Sequence, residues 1–112
     1  MDSTANPAPP GAPGAPGARP DQQFWDIADR IIGTANEQCD SASRTKVSAA
    51  MLFAAARFNT FVVAAAATSG QDLATRRDEI VRYLTGQYQA MLRDNLDEYA
   101  QNFARYVPPP AS

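Results

Sequence analysis

The chain has 112 residues, 45% of them hydrophobic and 20% charged, which is the balance of one ordinary globular domain. A formal net charge of −2 leaves no broad basic field to meet phosphates or anionic lipid, so neither a nucleic acid nor a membrane is the expected partner. Histidine is absent and Cys39 is the single cysteine, which rules out an internal disulfide and any His- or Cys-based tetrahedral zinc site; no metal and no cofactor is expected.

Residues 1–20 hold six of the nine prolines, with Gly-Ala-Pro triplets from Gly11 onward. Low complexity of this kind favours extended polyproline conformation and a disordered tether over a packed core. The start Met1-Asp2-Ser3 lacks the basic residues and apolar run of a secretory leader, and with a lone cysteine this suits a reducing, cytoplasmic setting. The remaining three prolines, Pro108 to Pro110, stop any helix before them and open a second short tail, 108–112.

Residues 21–107 contain no proline and form the expected domain. Phe24, Ile27, Ala28, Ile31, Ile32 and Ala35 recur at three- and four-residue spacing, which predicts a first helix from Asp21 to Gln38 with one apolar stripe. Asp26 and Arg30 stand at i,i+4 on its wet side.

Cys39 to Ser43 predicts a loop that ends in a serine able to cap the next helix. That second helix, Ser43 to Thr68, is apolar nearly all round: 17 of the 21 residues from Val47 to Ala67 are hydrophobic. Such a helix belongs in the middle of a bundle. Its length would also suit a bilayer, but Arg57, Asn59 and Thr60 near its centre argue against spanning.

Thr68-Ser69-Gly70 breaks the pattern, and Ser69 ahead of Asp72 resembles a capping arrangement. Helical spacing then continues through Leu73, Ile80, Leu84, Tyr88, Met91, Leu92, Leu96, Tyr99 and Phe103, with Asp72–Arg76 and Asp78–Arg82 as i,i+4 pairs. A third helix running to Arg105 would outreach the first by roughly 20 Å. It therefore either breaks, near Gly86 or Asp94-Asn95, and folds back, or its far end meets a partner. The architecture expected is all-α, a three-helix antiparallel bundle whose third helix is long or broken into a fourth.

Candidate chemistry is sparse. Arg57 is the one charge inside the apolar helix, and with Asn36 and Asn59 it forms a candidate ligand or buried polar cluster; an ion pair to Glu37, Asp94 or Glu98 is the structural alternative. The aromatic residues Phe53, Phe58, Phe61, Tyr83, Tyr88, Tyr99 and Tyr106 are expected in the core. Cys39 has Glu37 and Asp40 beside it and no histidine to ionise it, so no catalytic residue is expected and the chain is not read as an enzyme.

The strings Ile31-Ile32-Gly33-Thr34-Ala35-Asn36-Glu37-Gln38 and Lys46 to Asn59, with Gln87-Tyr88, Met91-Leu92, Asn95-Leu96 and Tyr99 beyond them, resemble an uncharacterised family of small bacterial proteins, mostly proteobacterial. The resemblance runs from Phe24 to Phe103 and implies a helical cytoplasmic protein without supplying a catalytic or binding residue. Two functions remain open. One is a non-enzymatic interaction module that homodimerises or docks a protein partner through Leu96, Tyr99 and Phe103; the other is a small-anion binder or minor enzyme around Arg57, with a small-molecule ligand the less expected. A Pro-rich tail recognised by an SH3-like groove is a third possibility.

Overall fold

A computed structural model describes residues 20–107 and 109. All but Pro20 of the proline-rich tail expected over 1–20, and all but Pro109 of the one expected over 108–112, lie outside these residues. The described residues are all-α: helices α1 (Gln22–Gln38), α2 (Arg44–Ala66), α3 (Gly70–Thr75), α4 (Arg77–Gln101) and α5 (Phe103–Tyr106) follow one another.

Each start of the first three helices is set by a short oxygen-bearing side chain. The Phe24 N–H donates to Asp21 Oδ1 at 2.9 Å, the Lys46 N–H to Ser43 Oγ at 3.1 Å and the Asp72 N–H to Ser69 Oγ at 3.0 Å. These contacts satisfy N–H groups that have no partner inside their own helix. At Ser69 the start is braced further, because Asp72 Oδ2 accepts the N–H of the preceding Thr68 at 3.0 Å and lies 3.9 Å from Arg76. Ser69→Ala should lower stability by about 1 kcal/mol, read by chemical denaturation, since α3 has only six residues to hold its own start.

The chain divides into two compact units between Arg76 and Arg77. In the first, α1 and α2 form a hairpin and α3 packs against α2. The hairpin turn is tied by the N–H groups of Cys39, Asp40 and Ser41 donating to the carbonyls of Asn36, Glu37 and Gln38, each at 3.1 Å. Val47 and Val63 of α2 are the buried hydrophobic side chains among the described residues.

Two expectations are corrected here. The long third segment breaks at Arg76 and Asn102, whereas α4 runs unbroken through Gly86 and Asp94-Asn95. A single glycine costs a helix only about 1 kcal/mol, and Asn95 back-bonds by donating its side-chain N–H to the Met91 carbonyl at 2.8 Å without interrupting the ladder. At Arg76 the backbone leaves the helical region (φ −93, ψ 8), and its N–H is shared among the carbonyls of Asp72, Leu73 and Ala74. The second correction concerns the aromatic core. Phe53, Phe58 and Phe61 are exposed at 68%, 66% and 66%, because an apolar surface that wraps all round α2 exceeds what one hairpin partner and a six-residue helix cover. Tyr88 and Tyr99 are exposed as well.

The surface ion pairs also differ. Asp78 meets Arg77 at 3.3 Å, where a pair with Arg82 was expected, and Asp26 Oδ1 accepts from Gln22 Nε2 at 2.9 Å where Arg30 was expected.

Candidate functional site

The expected polar cluster of Asn36, Arg57 and Asn59 does not assemble. All three side chains are exposed, and among the described residues no hydrogen bond or salt bridge joins them. Asn36 lies two residues from the end of α1 and Asn59 lies in the far half of α2, so the hairpin does not bring them level. Arg57 sits in a shallow depression with Phe53, Ala56, Thr60 and Phe61, all from α2 itself. The Thr60 hydroxyl is already committed, donating to the Ala56 carbonyl at 2.7 Å. With its guanidinium in water, Arg57 needs no buried counter-charge, and that removes the reason for expecting one.

A second open groove lies between α1 and α2. Ile31, Thr34, Ala35 and Gln38 of α1 face Lys46, Val47, Ala50, Met51 and Ala54 of α2 across it, and Ala42 of the turn closes one end. Its volume is about 460 Å³ and its walls are almost wholly apolar. Only Cys39 to Ser43 join the two contacting helices, so they run in opposite directions, with Gln38 and Lys46 nearest the turn and Ile31 and Ala54 farther from it. Alanine at 50 and 54 makes the room, because neither side chain reaches beyond its Cβ. Sequence periodicity placed these residues on helix faces, but the cleft depends on how far the hairpin opens, which no spacing encodes.

In the second unit, Leu92, Leu96 and Tyr99 fall at intervals of four and three residues, which lays them along one side of α4, and Phe103 opens α5 just beyond its end. All four are exposed, Leu96 at 59% and Phe103 at 60%. Ile80, Leu84 and Met91 form a second apolar row on another side of α4, and these are half-buried. Of the three residues expected as an interaction surface, Leu96 and Tyr99 share a face of α4, and Phe103 is exposed at the start of α5, beyond the bend at Asn102.

Sequence reasoning missed what holds the end of that face. In an unbroken helix Tyr99 and Tyr106 would stand about 10 Å apart along the axis. The bend at Asn102 (φ −120, ψ 37) instead stacks their rings at 4.0 Å and an interplanar angle of 16°, and Tyr106 donates its hydroxyl hydrogen bond to Glu98 Oε2. Arg105 lies 5.8 Å from the centre of the Tyr106 ring. The hydrogen bond to the Glu98 carboxylate, ahead of the smaller desolvation and charge effects, holds the Tyr106 pKa above its ordinary value of 10.0. The folded chain therefore keeps this proton more tightly than the unfolded one, so the contact's contribution is complete at neutral pH and is lost as pH rises through the raised pKa. Ultraviolet titration should show Tyr106 losing its proton late, and Glu98→Ala, which removes the acceptor and its charge, should bring that step to lower pH.

A family model described as a protein of unknown function (DUF3144) matches residues 24–100, and the chain belongs to that family. No curated protein and no solved structure matches the chain.

Proposed function

We propose that this member of the DUF3144 family is a non-enzymatic helical interaction module that associates with a second copy of itself through Leu92, Leu96, Tyr99 and Phe103. The observation that carries this reading is the exposure of Leu92, Leu96 and Tyr99 along one face of α4, at the spacing used by seams between helices, with Phe103 exposed at the start of α5. A two-fold pairing matches the same stripe to itself and calls for no separate complementary surface. The Tyr99–Tyr106 stack supports it further by holding one aromatic ring of the stripe in place before association, which lowers the entropy to be lost on binding.

Light scattering of the full chain across a concentration series tests the reading: a mass that rises from monomer to dimer is expected, and a monomer at every concentration would overturn it. Arg57 as the centre of a small-anion site has weaker support. One exposed cation on a single helix is all its depression offers, and an anion screen should give no thermal shift that Arg57→Ala removes.

A further inference from the structure

The cleft between α1 and α2 has a polarity along its length that self-association leaves unused. Its floor is aliphatic, from Ile31, Ala35, Val47, Ala50, Met51 and Ala54. Its one charged lining residue is Lys46, at the turn end, and no carboxylate lines it: neither Glu37 nor Asp40 is among the lining residues. Among the described residues the Lys46 ammonium has no salt-bridge partner. Lys46 stands in the first turn of α2, a helix that carries no acidic residue and whose positive dipole end adds to the same sign of potential. From Lys46 to Ala54 the cleft runs roughly 12 Å.

A ligand that suits this space is apolar along most of its length and negative at one end. A volume of about 460 Å³ is within the range of small-molecule sites, while walls with so few polar groups offer nothing to the hydroxyls of a sugar or the edges of a base. We propose that the cleft binds a free, monomeric medium-chain carboxylate, with its hydrocarbon chain along Val47, Ala50 and Ala54 and its head group at the Lys46 ammonium. Met51 is unbranched and adapts to the chain, and an exposed lysine can lay its stem on an apolar wall while keeping its charge in water.

Calorimetric titration of the full chain with decanoate, kept below its micellar concentration, tests this against decyltrimethylammonium, which has the same chain and the opposite charge. Saturable binding of one decanoate per chain is expected, with the cation at least about tenfold weaker. Lys46→Glu, an exposed substitution whose folding circular dichroism confirms, should erase that preference. Ala50→Trp should fill the cleft and abolish binding. Equal affinity for the two amphiphiles, or decanoate binding unchanged in both variants, would overturn the proposal. So would binding to anionic phospholipid vesicles without binding to decanoate, which would point to a membrane surface. Light scattering on the same samples reads self-association separately, so that either proposal can fail alone.

Discussion

Val63→Asp is expected to unfold the first unit, or to cost it about 3 kcal/mol or more, read as lost cooperativity in chemical denaturation followed by circular dichroism. Val63 is 4% exposed, the lowest value among the described hydrophobic residues, and a carboxylate there loses its water without gaining a hydrogen-bond donor. The group would either stay charged at a large cost or take up a proton, and both outcomes weaken folding at neutral pH. A comparison sharpens the test. Phe58→Ser removes a far larger side chain but one that is 66% exposed, so its effect should stay within about 0.5 kcal/mol. If Phe58→Ser destabilises as much as Val63→Asp, the surface of α2 is covered in solution by something the single chain does not show.

That contrast also marks how far the sequence can be read. Helix positions follow from local rules: Asp21, Ser43 and Ser69 cap where oxygen-bearing side chains precede apolar periodicity, and the loop from Cys39 to Ser43 lies where the pattern lapses. Burial does not follow, because it depends on which surfaces meet. Val47 and Val63 are buried while the three phenylalanines of the same helix are not, although by hydrophobicity alone the larger rings rank first. The same limit explains Arg57. Placing it in a core required a neighbour on its side of α2, and none of the residues around its guanidinium comes from another helix. The break at Arg76 was hidden for a different reason, since its sequence signs are those of a helix surface with an Asp72–Arg76 pair, and only the backbone angles reveal the turn. Leu96 and Tyr99 were legible as a face because spacing alone defines one within α4, whereas the place of Phe103 and the Tyr106 contact depend on a bend at Asn102 that spacing does not contain.

Leu96→Glu and Tyr99→Glu should each abolish self-association while leaving helicity unchanged. Burying one large apolar side chain contributes about 1.5–3 kcal/mol, and in a two-fold interface each substitution is felt twice. The loss for Leu96→Glu alone is therefore on the order of a hundredfold or more in the dimer dissociation constant. Both positions are exposed in the single chain and glutamate is a good helix former, so the substitutions act on association and spare the fold. Tyr99→Glu also removes the stack with Tyr106 and sets a second carboxylate beside Glu98, so its effect mixes two causes. Tyr106→Phe separates them: it keeps a ring against Tyr99 and deletes only the hydrogen bond to Glu98, so association should persist with a modest weakening. Sedimentation or light scattering of the three variants, with circular dichroism as the control, orders the causes. If dimers survive both glutamate substitutions, the stripe is not the seam, and the exposed phenylalanines of α2 become the surface to substitute next.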